Sequence, residues 1–386
     1  MPGATPADAD SPARFRDRFP SLTDTVHLAS CSQGAASTDL SAALLEFQHT
    51  MREYGAPWDR WMAEVARARQ LFAELIGAHP DEVAVVPCAS DGAFQIASTY
   101  GWQERPRIVT TDMEFPSIAH VWLAQRPRGA EVVHLPDRDG TLPAEDFAAA
   151  LGDRVSLVSV PLASYRNGAR LPVADVVGMA HDAGARVFVD AYQAAGVLPI
   201  DVRELDCDYL VAGALKYLLG IPGIAFLYVR GGLTDEVPPQ LTGWFAQSDP
   251  YAFDPRTLDL APTARRFETG TPSIPSAYGA VAGMRCLARA DQAAVWQHVG
   301  ELATDLHESL ARAGEQLWSP AEPALRGAQV AIVDEQPTEL AAYLANRRIA
   351  TSPRGHVLRL SLHYYNDHSD VAKVCEAIAD YRKHRA

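Results

Sequence analysis

A lysine and an aspartate follow two apolar runs of the sequence, and their chemistry gives the first functional signal. Asp190 lies in the run VFVDA (187–191), and Lys216 comes twenty-six positions later (216 − 190), just after DYLVAG (208–213). Both runs are short and end in small or polar residues, which is typical of buried parallel strands. In open α/β sheets, ligands bind at the carboxyl ends of strands. The sequence therefore predicts an amine and a carboxylate that face one ligand.

This pair of groups suits pyridoxal 5′-phosphate (PLP). The cofactor needs a lysine for its Schiff base and an acid partner for its pyridine nitrogen. The residues around Lys216, GALKYLLGIPG, are small and apolar, so we expect poor solvation to lower the lysine pKa and to favour this chemistry. The structural alternatives are an aspartate that caps the next helix and a lysine at a surface helix start.

An alternation of helices and strands is expected to position these residues. Apolar residues at three- and four-residue spacing, each run ending at Gly, predict helices over 40–55 and 60–77. From residue 81 onward, strand-like runs alternate with helical stretches, which predicts a mostly parallel sheet covered on both faces. Residues 232–276 are rich in Pro, Gly and aromatic residues and lack periodicity, and such irregular segments are usually functional.

Composition restricts the possible function classes. The chain has 386 residues, 48% hydrophobic and 21% charged, which is ordinary for a globular protein of two domains. Its net charge of −14 argues against a nucleic-acid partner, which would need a basic face. We expect no membrane association, secretory signal, disulfide framework or metal site, because no long apolar stretch and no CxxC pair occurs. The cytoplasm is the simplest location.

Several separated motifs resemble, in the same order, those of the class V aminotransferase group of fold-type I PLP enzymes. That group includes cysteine desulfurases, isopenicillin-N epimerase-like proteins and kynureninases. Its motif D-x-x-Q-x-x-G is present as DAYQAAG, and its lysine, aromatic, Leu and Gly-rich turn are present in DYLVAGALKYLLG. The resemblance runs from about residue 26 to the C-terminus.

The resemblance implies a fold-type I α/β architecture in two domains. Residues 14–255 would form a large PLP-binding domain, with a mostly parallel sheet between helices. Residues 256–386 would form a smaller α+β C-terminal domain, against which residues 14–30 could pack. Residues 1–13, rich in Ala, Pro and Asp, are expected to be a disordered tail.

The resemblance also implies roles around the cofactor. Gln193 would contact the phenolic oxygen of PLP, and Phe115 would stack on its ring. Ala89 and Ser90, in VPCASDGAF, match a turn before a helix where backbone N–H groups and a hydroxyl hold the phosphate. A core phenylalanine and a plain helix cap are the structural alternatives for Phe115 and Ser90.

A homodimer is implied by a further match. Gly270 and Thr271, in ARRFETGTPSIPS, match a segment that reaches the PLP phosphate of the neighbouring subunit. Trp244, in LTGWFAQSDPYAF, resembles a kynureninase Gly-Trp element near that phosphate. The active site would thus be completed by a second copy of the chain.

Four residues are implied at the substrate side. Arg359, in VLRLSLHYYN, would hold the substrate α-carboxylate, which matches the planar fork of a guanidinium group. Tyr165, in SYRNGARLPV, falls where the group places residues near the ring, although a structural loop tyrosine is the alternative. Ser32 and Gln33, in HLASCSQGA, would line the substrate entrance.

The chain departs from the group's pattern in two places. Cysteine desulfurases carry a nucleophilic Cys on a mobile loop before the Arg-x-Ser strand, and NRRIATSPRGHVLRLS contains none. The group often has His immediately before the Schiff-base lysine and Ser three residues before it, whereas Leu215 and Gly213 occupy those positions here. The phosphate cup and the acid–base environment above the lysine are therefore expected to differ.

The expected chemistry starts from an α-amino acid. The substrate amine would displace Lys216 from its Schiff base with PLP, and Lys216 would remove the Cα proton to give a quinonoid intermediate. The absent Cys and the kynureninase-like surroundings favour a lyase that cleaves a β-substituent through a C–S or C–C bond, kynureninase-like or cysteine-lyase-like. The alternatives, in order, are a class V aminotransferase with a 2-oxo acid acceptor, an amino-acid epimerase and a catalytically inactive PLP-fold binding protein.

Overall fold

The structure is a computed structural model that describes residues 9–233 and 237–385. Its α-helices are α1 (Pro12–Arg16), α2 (Thr38–Tyr54), α3 (Trp58–Leu75), α4 (Ala89–Ser98), α5 (Pro116–Leu123), α6 (Ala144–Ala150), α7 (Val173–Asp182), α8 (Val202–Leu205), α9 (Ile274–Leu287), α10 (Gln292–Arg312), α11 (Pro337–Ala345) and α12 (His368–Arg385). Its strands are β1 (Val26–His27), β2 (Val83–Val86), β3 (Arg107–Thr111), β4 (Glu131–Leu135), β5 (Val155–Pro161), β6 (Arg186–Asp190), β7 (Tyr209–Gly213), β8 (Ala225–Val229), β9 (Gln329–Val333), β10 (Ile349–Ala350), β11 (Ser352–Arg354) and β12 (Val357–Ser361).

A seven-stranded sheet forms the centre of the molecule, in the order β2-β8-β7-β6-β5-β3-β4. Strands β3 to β7 are parallel, whereas β8 runs antiparallel to both of its neighbours, β7 and β2. Every residue of β7 and of β8 is buried, as expected for strands covered on both faces. The predicted α/β class with a mostly parallel sheet is confirmed.

Successive residues of these strands enter two different cores, one on each face of the sheet. Leu210 and Ala212 of β7 belong to the larger core, and Tyr209 and Val211 belong to the smaller one. This alternation follows from the two-residue period of a strand. Helices α2, α3 and α9 pack together, and so do α4 and α5.

A smaller antiparallel sheet, β11-β12-β9, lies in the C-terminal part of the chain, where α10 and α11 pack against it and α12 packs against those two helices. The N-terminal segment joins this region, because β1 pairs with β10 and Ala29 bridges to Ser361. Helix α9, which follows the predicted domain boundary at residue 255, packs against α2 and α3. The boundary itself stays a prediction.

Three regions can be compared with their sequence-based predictions. Of the predicted tail, residues 1–8 lie outside the described residues, and α1 already begins at Pro12, preceded by the buried Asp10. Helix α10 has 21 residues and was not predicted, although Asp291 caps it and its apolar residues are spaced by three and four. The predicted irregular segment 232–276 is confirmed for its described part up to α9, because this part contains only short 3-10 helices.

In the ranges 9–233 and 237–385, no helix combines the length and apolarity needed to cross a bilayer.

Candidate active site

A cavity of about 300 Å³ lies at the edge of the sheet where β5 and β6 end and where the chain leaves β7. Seven residues predicted from the sequence line it: Ala89, Ser90, Phe115, Tyr165, Asp190, Gln193 and Lys216. The parallel arrangement of β5, β6 and β7 brings them together, because parallel strands present their carboxyl ends at the same edge.

Asp190 is the last residue of β6 and is 5% exposed. Its Oδ1 atom accepts a hydrogen bond of 2.8 Å from the backbone nitrogen of Tyr192. Burial raises the pKa of Asp190, whereas this hydrogen bond and the positive charge of Lys216 oppose the increase. These contacts fix the orientation of the carboxyl group at the cavity wall.

Glu114 is a second buried carboxyl group at this site, and the sequence analysis missed it. It lies between β3 and α5, is 3% exposed, and accepts hydrogen bonds of 2.9 Å from Ser159 Oγ and from the backbone nitrogen of Phe115. Burial, and then the neighbouring Asp190, raise the pKa of Glu114 to about 8. The only available signal was an acidic residue that follows a strand at the same edge.

Lys216 projects into an aromatic environment. Its Nζ atom lies 4.2 Å from the ring centre of Tyr192 and 5.4 Å from that of Phe115. Burial lowers the pKa of Lys216 to about 8, and the nearby Asp190 opposes this decrease. The neutral fraction of the amine near neutral pH is therefore larger than that of a solvated lysine, in the direction that the apolar flanking sequence predicted.

Gln193 has an unused hydrogen-bonding atom. Its Nε2 donates to the backbone oxygen of Cys31 at 3.2 Å, whereas its buried Oε1 has no hydrogen-bond partner among residues 9–233 and 237–385. Buried amides are nearly always paired in native proteins. The amide is thus available to a bound molecule, as a PLP-contacting residue would be.

The N-terminus of α4 offers an anion-binding position at the same cavity. The helix begins at Ala89, and the side chain of its extended cap residue, Cys88, accepts no hydrogen bond from the backbone N–H groups of the first turn; its Sγ atom instead donates to Asp91 Oδ2 at 2.9 Å. Because the first N–H groups of a helix have no partner within the helix, an anion can accept them. Taken with Lys216, Asp190 and Gln193, this position fits the phosphate, aldehyde, pyridine and phenol groups of PLP.

Arg359 lies behind the cavity wall on β12 and is 1% exposed. Its guanidinium group donates to the backbone oxygen of Tyr165 at 2.8 Å, to Ser352 Oγ at 2.6 Å and to the backbone oxygen of Ser352 at 3.2 Å. Among the described residues, no carboxylate forms an ion pair with it. A buried arginine without an acidic partner is suited to receive a carboxylate from a ligand.

The N-terminal segment approaches the lysine differently from the prediction. Ser32 is exposed, and neither it nor Gln33 belongs to the cavity lining. Gln33 Nε2 instead donates to the backbone oxygen of Gly220 at 3.1 Å. A Cβ atom on Gly34 would lie 2.5 Å from the backbone oxygen of Lys216, so the absence of a side chain there permits the close approach.

Trp244, Gly270 and Thr271 do not line this cavity within one chain. Trp244 lines a separate cavity of about 620 Å³, where its ring lies 5.8 Å from that of Phe253. Gly270 and Thr271 line a third cavity of about 220 Å³. Their predicted role toward a neighbouring subunit stays a prediction.

The chain is similar to known proteins in sequence and in structure. The family described as aminotransferase class-V matches residues 46–374. An uncharacterized aminotransferase of Bacillus subtilis, YcbU, is 37% identical over 374 residues, which cover 97% of this chain and 99% of the relative. A kynureninase of Bacillus cereus is 30% identical over 275 residues, which cover 67% of this chain and 64% of the relative.

Solved structures share the fold. The apo structure of a cysteine desulfurase from Thermococcus onnurineus superposes with a TM-score of 0.88 at 23% identity, covering 97% of this chain and 99% of the other. The cystine C-S lyase C-DES, in complex with its product cysteine persulfide, superposes with a TM-score of 0.86 at 23% identity, covering 94% and 99%. The fold expected from the sequence motifs is therefore confirmed.

Proposed function

The chain belongs to the aminotransferase class-V family, and from that premise we propose that it is a lyase that cleaves a β-substituent from an α-amino acid. Its cofactor is PLP, for which the cavity provides the amine of Lys216, the carboxyl group of Asp190 and the unpaired amide oxygen of Gln193. The family, the cavity and these groups together support PLP-dependent chemistry on an amino group.

One observation at the substrate side argues against a catalytic cysteine, and so against a desulfurase. Strands β11 and β12 are joined by only Gly355 and His356, so a tight hairpin stands where desulfurases carry the mobile loop with their nucleophile. Cys88, which lines the cavity, is a poor substitute, because burial and Asp91 raise the pKa of its thiol. A thiol nucleophile is therefore not part of the proposal.

Each side chain has a defined task in this proposal. When bound, PLP supplies a carbonyl that condenses with amines and a ring that withdraws electrons from the substrate Cα. Lys216 holds the cofactor and, once its amine is free, takes the proton from Cα. Asp190 holds a proton at the pyridine nitrogen, and the amide of Gln193 contacts the phenolic oxygen.

The remaining residues bind and orient the ligands. Phe115 covers one face of the cofactor ring, and its own ring is held edge-to-face by Tyr165 at 5.0 Å. The first turn of α4, with Ala89 and Ser90, binds the phosphate. Arg359 binds the substrate α-carboxylate through N–H groups not used by Tyr165 and Ser352.

A homodimer is part of the proposal. Gly270 and Thr271 lie outside the cavity of their own chain and are assigned to the cofactor phosphate of a second copy. Beside Trp244, Tyr251 is 54% exposed and Phe253 is 70% exposed, and clustered exposed aromatic residues mark interaction surfaces. Sedimentation velocity should show a dimer that Phe253→Asp weakens. We assign the dimer to the cytoplasm.

The reaction type is tested by adding a panel of L-amino acids to the PLP-loaded protein, with and without a 2-oxo acid. Visible spectra are recorded, and released products are identified. A side-chain fragment released without an acceptor supports the lyase. Turnover that requires the acceptor contradicts it and supports an aminotransferase.

An aminotransferase is the second candidate because of one specific observation. The B. subtilis relative that is named an aminotransferase is 37% identical over 374 residues, whereas a kynureninase of Geobacillus thermodenitrificans that matches a similar share of this chain is 25% identical over 391 residues. The same experiment separates the two, since only transamination consumes the 2-oxo acid.

A further inference from the structure

The end of β7 carries a glycine where the family often has a serine in its phosphate cup, and the space beside that glycine is filled. A Cβ atom built on Gly213 would lie 2.0 Å from the hydroxyl oxygen of Tyr192 and 2.1 Å from its Cζ atom. Such distances exclude any side chain at position 213 while Tyr192 keeps this position. The Tyr192 phenol therefore occupies the volume of the missing serine.

The backbone of β6 brings Tyr192 to this place. Tyr192 lies two residues after the strand, where its N–H donates to Asp190 Oδ1, and its side chain crosses toward the neighbouring strand β7. The ring passes below the amine of Lys216, 4.2 Å from Nζ. Tyr192 lines the cavity together with Cys88 and Ser90, which begin helix α4.

The hydroxyl group of Tyr192 is protonated and can therefore donate a hydrogen bond to an anion. Burial raises the pKa of Tyr192, and the nearby Asp190 acts in the same direction, so the hydroxyl stays protonated at neutral pH. Within residues 9–233 and 237–385, no partner accepts or donates a hydrogen bond at this hydroxyl. A protonated and unpaired hydroxyl beside an uncapped helix N-terminus is a donor for a phosphate oxygen.

We propose that Tyr192 binds the PLP phosphate by donating its hydroxyl proton, in place of the side chain that Gly213 lacks. The inference rests on the proposed function, because it requires PLP as the ligand. Tyr192 and Gly213 then form a coupled pair, since the phenol can occupy this position only when residue 213 has no side chain. Removing the Tyr192 hydroxyl should weaken binding of the phosphate, and supplying a hydroxyl at position 213 once the Tyr192 ring is gone should restore it.

The test compares two ligands that differ only in the phosphate. Dissociation constants of PLP and of pyridoxal are measured by absorbance titration of the cofactor-free full chain. Tyr192→Phe removes only the hydroxyl, and we expect it to weaken PLP about tenfold while pyridoxal changes little. Tyr54→Phe is the matched control, because it removes the hydroxyl of an exposed tyrosine on α2, outside the cavity, and should leave both constants unchanged.

The coupling is tested with a compensating pair. Tyr192→Ala should lose affinity for PLP, and the double variant Tyr192→Ala/Gly213→Ser should recover most of it, because a serine hydroxyl then has room to reach the phosphate. Circular dichroism confirms folding of each variant. The inference is overturned if Tyr192→Phe weakens both ligands equally or neither, or if the double variant binds PLP no better than Tyr192→Ala.

Failure of the proposed function has a different signature. Wild-type protein that takes up neither PLP nor pyridoxal would overturn the proposed function and this inference together. Wild-type protein that binds PLP tightly, with Tyr192→Phe binding it equally well, would overturn only the role of Tyr192.

Discussion

Glu114 and Asp190 are two buried carboxyl groups that interact side by side at the wall of the active-site cavity. Burial and the neighbouring Asp190 raise the pKa of Glu114 to about 8, and burial also raises the pKa of Asp190, an increase that Tyr192, Lys216 and Glu114 oppose. We therefore expect Glu114 to hold a proton at neutral pH. This leaves Asp190 as the carboxylate that a pyridine nitrogen needs.

The proton on Glu114 should make stability depend on pH. Between its ordinary pKa of 4.5 and about 8, the folded protein binds more protons at Glu114 than the unfolded chain does. The free energy of unfolding should therefore fall as the pH rises through this window. Glu114→Gln, which keeps a hydrogen-bond donor but cannot titrate, should flatten the slope. Urea unfolding of the cofactor-free protein from pH 5 to 8 measures it, and equal slopes in both proteins would contradict the assignment.

The amine of Lys216 should set the pH dependence of cofactor uptake. Only a neutral amine attacks an aldehyde, and burial lowers the pKa of Lys216 to about 8. The rate of PLP uptake should rise with pH and level off above about 8. Because Asp190 opposes that decrease, Asp190→Asn should move the midpoint to lower pH. Stopped-flow absorbance reports both values, and a midpoint near the ordinary 10.5 would show that the amine is solvated.

Replacing the lysine should separate binding from turnover. Lys216→Ala should lower kcat by on the order of 10³-fold or more, because it removes the general base and the covalent link to the cofactor. The variant should still bind PLP non-covalently through the other cavity residues. Lys383→Ala, which changes an exposed lysine on α12, serves as the control. Full activity of Lys216→Ala would refute the central assignment.

Arg359 should matter only for substrates that carry an α-carboxylate. Arg359→Ala is expected to raise KM about tenfold or more for an amino acid, because a charged hydrogen-bonded pair is lost. The corresponding amino-acid amide should respond little, which distinguishes carboxylate binding from a general loss of structure. Arg359→Lys should restore KM only in part, since a lysine has no planar fork. An unchanged KM in Arg359→Ala would place the carboxylate elsewhere.

Much of the fold was predictable because it depends on local patterns. The short apolar runs around Asp190 and before Lys216 indicated buried parallel strands, and parallel strands must present their carboxyl ends at one edge. The meeting of this acid and this amine therefore followed from the sequence. Helix α10 was missed despite an apolar period that was sufficient to predict it.

Other parts of the site depend on which segments become neighbours. Glu114 and Asp190 are 76 positions apart (190 − 114). The sequence around each residue does not predict that the two carboxyl groups are buried beside each other, or that this raises the pKa of Glu114. The fit of Tyr192 against Gly213 depends on strand pairing and on the direction of one side chain. Residue types and their order determined the fold class, the lysine and its acid. Only tertiary structure decided the raised pKa of Glu114 and the position of the Tyr192 phenol beside Gly213, because burial and contact distance are properties of the packed chain.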